Sequence, residues 1–155
     1  MKVMGCDCSS KLIDCVLLGD DDLFKTYSFE SKNKDWDIRS RELFSAFQNL
    51  IKDMKYDKIV PDIVYIEQAV YLQNVKVTLA IDSVINAVKF ISYMNKIPYI
   101  IIDNKSWKKQ VLGNGKASKE QIMEFARLRW GDKLSTQDLC DAACISLAGY
   151  NMLRR

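Results

Sequence analysis

Four carboxylates lie where an unpaired acidic side chain is unusual. Asp7 interrupts the apolar first segment "VMGCDCSS", and Glu67 ends the apolar segment "DIVYIE". Asp138 and Asp141 are three residues apart in the last amphipathic segment, a spacing that places them on one face of a helix. If that helix crosses the strands that carry Asp7 and Glu67, four negative charges converge. Such a cluster repels itself unless cations neutralise it.

The type of donor indicates which cation would bind. Oxygen-only ligand sets select hard ions such as Mg²⁺ or Mn²⁺ over zinc. Two such ions about 3.5–4 Å apart catalyse the in-line hydrolysis of phosphodiesters. The four carboxylates therefore predict a centre with two metal ions and a phosphodiester substrate.

Each carboxylate also has a simpler explanation. Asp7 could be a turn residue that ends a strand, and Glu67 could simply terminate the next one. The run "STQD" fits a capping box in which Ser135 is the N-cap and Asp138 follows three residues later. That reading explains Asp141 less well.

The composition excludes several other chemistries. The chain has no histidine, which removes histidine-based acid–base catalysis and mixed cysteine/histidine zinc sites. The five cysteines are interpreted as reduced thiols of a cytoplasmic protein. The small size of these side chains and their apolar sequence neighbours favour packing in the core. A structural zinc site made by Cys6, Cys8, Cys140 and Cys144 is the alternative.

The 155 residues predict a single domain, 1–155, of the α/β class. Three β-rich segments separated by polar turns predict an antiparallel meander. Two further strands, "DIVYIEQAV" and "PYIIID", each follow a segment of helical periodicity, and three more helices complete the chain. The prediction is a five-stranded mixed sheet flanked by helices. No apolar run of about 18 residues and no signal peptide are evident, so we expect a cytoplasmic protein without a membrane anchor.

Residues 103–119 contain five lysines and one aspartate, a local basic patch that suits a phosphate-bearing partner. A solvated surface is the alternative.

Four segments in order resemble the RuvC family of Holliday junction resolvases: "GCDCSS", "YIEQAVY", "VLGNGKASKEQI" and "DLCDAACISLA". The resemblance extends over about residues 1–150. It implies a fold like that of RNase H and retroviral integrase, and a homodimeric, Mg²⁺-dependent endonuclease. Such enzymes nick two opposed strands of a four-way DNA junction and leave 5′-phosphate and 3′-hydroxyl ends. The Lys-, Asn- and Ile-rich composition would fit a bacterial or phage source, and a branch-migration helicase is a candidate partner.

The resemblance also assigns residues. The family's metal ligands fall on Asp7, Glu67, Asp138 and Asp141, and its basic residues near the scissile phosphate fall on Lys108 and Lys119. Lys119 is expected to offset charge on the phosphoryl oxygens. Tyr71 is the candidate for the family's base-stacking aromatic, one place further along than expected. The backbone of the DNA would be held by Lys105, Lys108, Lys109 and Lys116. The sequence "DCSS" replaces the proline and glycine that usually follow the first aspartate, which leaves the turn geometry open.

The second predicted helix has two rows of residues along its surface, one apolar and one partly apolar. The first would cover the sheet and contains Val77, Ile81, Val84, Val88 and Ile91; the second could meet a symmetry mate and contains Leu79, Ser83, Asn86, Phe90 and Tyr93. A helix buried between the sheet and the terminal helix is the alternative. Three other functions stay open: a broader nuclease for forks and flaps, an RNA-directed nuclease, and a junction-binding scaffold without catalysis.

Overall fold

The computed structural model describes residues 1–20, 23–70 and 72–155. Five strands and five α-helices follow one another as β1 (Lys2–Cys8), β2 (Leu12–Gly19), β3 (Phe24–Glu30), α1 (Trp36–Tyr56), β4 (Ile63–Glu67), α2 (Val75–Met94), β5 (Tyr99–Ile102), α3 (Asn104–Leu112), α4 (Lys119–Trp130) and α5 (Gln137–Leu153). A short 3₁₀ turn, Gly131–Lys133, joins α4 to the segment before α5. This order confirms the succession of strands and helices predicted from the sequence.

The strands form one mixed sheet in the order β3-β2-β1-β4-β5. β1 pairs with β2, and β2 with β3, in antiparallel ladders; β4 lies parallel to both β1 and β5. The predicted three-stranded meander with two parallel strands is therefore confirmed. The register places Asp7 opposite Asp14 and Asp14 opposite Ser28, so these three residues form a row across three strands.

The two faces of the sheet carry separate cores, because strand side chains alternate. On one face, α1 and α2 cover a buried cluster that includes Met4, Cys6, Leu17, Phe47 and Val88. On the other face, α3, α4 and α5 pack over a cluster that includes Val3, Tyr65, Trp107, Ile122 and Cys144. Asp7, two residues beyond Gly5 and four beyond Val3, belongs to this second face, which we call the α5 face.

The cysteines are divided between the two cores. Cys6 and Cys15 are buried on the face covered by α1 and α2, with their Sγ atoms 3.2 Å apart. Cys140 and Cys144 are buried on the α5 face, and Cys8 is half-buried. All five are free thiols.

α5 lies unusually close to the sheet. A β-carbon at Gly5 would come well inside 3.0 Å of the Ala142 carbonyl oxygen and the Ser146 amide nitrogen. Near the other end of the helix, a β-carbon at Gly149 would overlap the ring of Tyr65 in the same way. The Ser146 hydroxyl donates a hydrogen bond to the Val3 carbonyl oxygen at 2.7 Å. Gly5 and the Ser146 hydroxyl thus determine the distance between α5 and β1, and Gly149 allows the close approach of α5 to β4.

Among the described residues, α2 is the one helix long and apolar enough to cross a membrane. This is weak evidence, since a helix that covers the core of a soluble protein has the same composition. α2 contributes Val84, Ile85, Val88 and Ile91 to the core that it shares with α1.

Candidate active site

Three carboxylates meet on the α5 face. Ligand oxygens of Asp7, Asp138 and Asp141 all lie within 4.8 Å of one another, and each of these side chains is half-buried. Asp7 is placed by strand β1, whose alternation turns it away from Cys6 and Cys8. Asp138 and Asp141 project from the first turns of α5, which crosses β1 at Gly5, two residues before Asp7.

The start of α5 excludes the simpler explanation of Asp138. The N-cap is Thr136, whose hydroxyl accepts a hydrogen bond from the Leu139 amide at 3.2 Å. The alternative of a capping box with Ser135 as the N-cap and Asp138 as its acidic partner is therefore wrong. Asp138 is the second residue of the helix, where its carboxylate is free to face Asp7 and is favoured by the helix dipole.

Glu67 approaches the same centre from the end of β4. Its Oε1 atom accepts two hydrogen bonds, from Asn104 Nδ2 at 2.6 Å and from Trp107 Nε1 at 3.1 Å. Trp107 is fully buried, so one of these donors is immobile. The negative charge of Glu67 raises the pKa of both Asp7 and Asp141. Glu67 is thus held by α3 while it remains electrostatically coupled to the other carboxylates.

At this centre, negative charge and burial outweigh the effect of the nearby lysines on the carboxylate pKa values. Burial raises the pKa of Asp7 to about 8, and the neighbouring Glu67, Asp141 and Asp138 add to the effect. Burial likewise raises the pKa of Asp141 to about 7; Glu67 and Asp138 contribute, and Lys108 and Lys119 oppose them.

The Oδ1 atom of Asp141 is buried and has no hydrogen-bond partner among the described residues. None of the ion pairs formed within residues 1–20, 23–70 and 72–155 includes a carboxylate of this centre. An oxygen without a partner in a cluster of carboxylates fits a divalent cation. The cation would coordinate that oxygen, and its charge would neutralise the carboxylates.

Two of the predicted basic residues act on the carboxylate centre electrostatically. Lys108 on α3 and Lys119 at the start of α4 both lower the pKa of Asp141 and so lie on its side of the site. The Nζ atom of Lys108 is 5.6 Å from the centre of the Trp107 ring. Lys119 directly follows Ser118, the N-cap of a complete capping box. The other predicted contacts to DNA, Lys105, Lys109 and Lys116, are exposed to solvent. Tyr71 lies outside the described residues, and its base-stacking role stays a prediction.

Sequence reasoning missed a fifth carboxylate. Asp14 is only 2% exposed and stands directly opposite Asp7 in the β1–β2 ladder. Burial raises its pKa, the Ser28 side chain lowers it, and Asp138 raises it further. Its Oδ1 atom is buried without a hydrogen-bond partner in the described part of the chain. The signal was the aspartate in the apolar strand "KLIDCVLLG", but its relation to Asp7 depends on the register of the hairpin.

A five-stranded mixed sheet of this order, with an acidic centre between its first strand and its last helix, defines a nuclease of the RNase H-like class. The model of one family, crossover junction endodeoxyribonuclease RuvC, matches residues 23–149. The chain belongs to the RuvC family. The matched range contains Glu67, Asp138 and Asp141, and Asp7 precedes it.

Individual relatives agree with this assignment. The chain is 26% identical to a crossover junction endodeoxyribonuclease RuvC of Carboxydothermus hydrogenoformans over 153 residues, which cover 97% of this chain and 96% of the relative. It is also 26% identical to the RuvC of Brachyspira hyodysenteriae over 117 residues, covering 76% of this chain and 70% of that one.

The structure of Thermus thermophilus RuvC in complex with a Holliday junction substrate superposes with a TM-score of 0.80 at 15% identity, covering 99% of this chain and 95% of that one. At this identity the likeness shows the fold alone, and it confirms the predicted RNase H-like architecture. The predicted family and enzyme class are confirmed by the family match.

Proposed function

We propose that this chain is a structure-selective endonuclease that resolves four-way DNA junctions by paired, metal-dependent hydrolysis of phosphodiester bonds, giving 5′-phosphate and 3′-hydroxyl ends. The observation that carries the proposal is the meeting of Asp7, Asp138 and Asp141 within 4.8 Å in a member of the RuvC family. A related protein of the same fold has been solved with a Holliday junction substrate.

In this proposal Asp7, Glu67, Asp138 and Asp141 hold two divalent ions, Mg²⁺ or Mn²⁺. The chemistry supplied by the bound ions is activation of a water molecule and stabilisation of the leaving 3′-oxygen. The carboxylates bring their oxygens together before the ions bind, because the close packing of α5 on Gly5 fixes their spacing. Oxygen donors alone favour hard ions over zinc, which supports this choice of metal.

Two lysines beside the carboxylates are the candidates for contact with the reacting phosphate. Lys108 and Lys119 both lower the pKa of Asp141, which supports this role. Lys119 would offset the charge that develops on the phosphoryl oxygens. The exposed Lys105, Lys109 and Lys116 and the half-buried Lys108 would bind the DNA backbone.

Cutting of two opposed strands requires two active sites, and the surface of α2 supports a homodimer. Leu79, Phe90 and Tyr93 of the second row are 52%, 55% and 73% exposed. Tyr99 and Ile101 on the edge strand β5 are also exposed and point to the same side of the sheet as α2, so the apolar surface continues beyond the helix. The alternative that places α2 beneath the terminal helix is wrong, because α5 covers the opposite face of the sheet. A two-fold interface between copies of α2 would cover this surface.

Sedimentation tests the dimer. We expect the wild-type protein to sediment as a dimer at micromolar concentration, and Phe90→Asp to sediment as a monomer because it places a charge in the interface. The control is Tyr56→Asp, since Tyr56 is exposed at the end of α1. A monomeric wild-type protein would contradict the interface. Interaction with a branch-migration helicase stays a prediction from the resemblance, and a cytoplasmic location stays a prediction from the composition of the sequence.

A cleavage assay tests the function itself. An end-labelled four-way junction, a replication fork, a flap, a linear duplex and an RNA–DNA hybrid are incubated with the protein and Mg²⁺, or with EDTA. We expect symmetric nicks in the junction with Mg²⁺ alone, and no cleavage by Asp7→Asn, which should still bind the junction. Equal cutting of linear duplex would refute junction selectivity, and preferential cutting of forks, flaps or the hybrid would favour the broader nuclease.

A further inference from the structure

We propose that Asp14 is a fifth carboxylate of the cation centre and that it strengthens binding of the divalent ion held by Asp7; this rests on the proposed function. Asp7 and Asp14 are directly opposed in the antiparallel β1–β2 ladder, so both side chains project from the α5 face. In such pairs the β-carbons are about 4.5–5.5 Å apart. No sequence motif of the centre includes Asp14.

Stability alone does not explain an aspartate at this position. Asp14 is 2% exposed, and its Oδ1 atom has no hydrogen-bond partner among the residues that the structure describes. A hydrogen bond from the Ser28 side chain compensates the carboxylate in part. The buried Oδ1 atom is still costly, and like charges directly opposed across two strands repel. The ion pairs between described residues involve Asp20, at the end of the β1–β2 ladder remote from Asp14, and Asp37 on α1, so none of them neutralises Asp14.

A bound cation would offset both the burial of the Asp14 charge and its repulsion from Asp7. Asp14 stands between Asp7 on β1 and Ser28 on β3, and Asp138 of α5 acts electrostatically on both aspartates. Asp14 therefore faces the acidic centre, with one oxygen available. A carboxylate at this place adds negative charge beside the ion and can accept hydrogen bonds from its water ligands. Groups of this kind, one step beyond the direct ligands, commonly change metal affinity by about 10- to 100-fold.

The test measures metal binding directly, without DNA. Mn²⁺ is titrated calorimetrically into the wild-type protein and into Asp14→Asn, which has the same shape without the charge. We expect a loss of affinity of about 10- to 100-fold. The control is Asp53→Asn, because Asp53 is exposed on α1, on the other side of the sheet, and its replacement should leave affinity unchanged. Asp7→Asn serves as the reference for loss of a direct ligand.

Thermal unfolding gives a second readout. In EDTA, Asp14→Asn should melt no lower than the wild type, because a repulsive charge is removed; Mn²⁺ should then raise its melting temperature by less than that of the wild type. Asp14→Ser, smaller and also neutral, should behave in the same way. Failure of both variants to fold in EDTA would overturn the proposal, since Asp14 would then be a structural residue.

The outcomes separate this proposal from the proposed function. Wild-type affinity in Asp14→Asn, together with lost affinity in Asp7→Asn, would overturn the role of Asp14 and leave the metal centre intact. Absence of Mn²⁺ binding by the wild type would overturn both.

Discussion

The Nδ2 atom of Asn104 donates a hydrogen bond to Oε1 of Glu67 at 2.6 Å, across 37 residues of sequence. The indole nitrogen of Trp107 donates to the same oxygen from the next turn of α3. Both donors therefore fix one oxygen of Glu67, and the other oxygen takes part in neither bond. The carboxylate is held from one side, in an orientation that suits a ligand presented to a cation.

Replacement of Asn104 by alanine should loosen Glu67 without unfolding the protein. We expect Asn104→Ala to lower the single-turnover cleavage rate by about tenfold or more, with little effect on the dissociation constant of the junction. Trp107→Phe, which keeps most of the ring and loses the donor, should act in the same direction. Ser106→Ala is the control, since its hydroxyl bonds to Asp103 and not to Glu67. An unchanged rate in Asn104→Ala would remove the bond from the catalytic arrangement.

A methyl group at Gly5 should separate α5 from the sheet. Because the added atom would meet backbone atoms of Ala142 and Ser146, no side-chain rotation can relieve the overlap. We expect Gly5→Ala to lower the free energy of unfolding in urea by at least about 1–3 kcal/mol. Cleavage should fall even where the variant is folded, because Asp138 and Asp141 move with the helix.

Gly113→Ala is the matched control for this measurement. Gly113 has φ 72° and open space around its α-carbon, so alanine there meets only backbone strain. That strain costs about 1 kcal/mol. Equal destabilisation by the two substitutions would contradict the close packing at Gly5.

The metal-free protein should become less stable as the pH rises from 3.8 to about 8. The pKa of Asp7 is raised to about 8 and that of Asp141 to about 7, whereas both have their ordinary value of 3.8 when unfolded. The folded state thus binds more protons between these limits, and its advantage is lost as the pH passes through the folded-state values. Melting curves in EDTA at several pH values check this. The double variant Asp7→Asn/Asp141→Asn should show a flatter profile, and a parallel slope in both proteins would contradict the assignment.

Two lysines should separate catalysis from DNA binding. Lys119→Ala should slow single-turnover cleavage while junction affinity changes little, because Lys119 lies near Asp141. Lys116→Ala should weaken junction binding and reduce the slope of affinity against salt by about one. Lys52, exposed on α1 across the sheet, provides the control substitution. If Lys119→Ala cleaves at the wild-type rate, Lys119 does not contact the reacting phosphate.

Several features of this protein follow from local sequence. The alternation of apolar residues around Asp7 and the helical spacing of Asp138 and Asp141 depend on residues close together in the chain. For that reason the order of strands and helices, the faces of Asp7 and α5, and the family could all be predicted before the fold was known. Periodicity reports the direction of a side chain within its own element.

Other features were decided only when the elements packed. The pairing of Asp14 with Asp7 depends on the register of a hairpin, where a shift of one residue would turn Asp14 to the other face. The hydrogen bonds from Asn104 and Trp107 to Glu67 join α3 to β4. The close packing of α5 against the sheet depends on Gly5. These contacts link residues far apart in the chain. The sequence by itself determined which residues are acidic and which way each side chain points from its own strand or helix. Packing decided which of these carboxylates are neighbours, because distances between elements arise only from the tertiary fold.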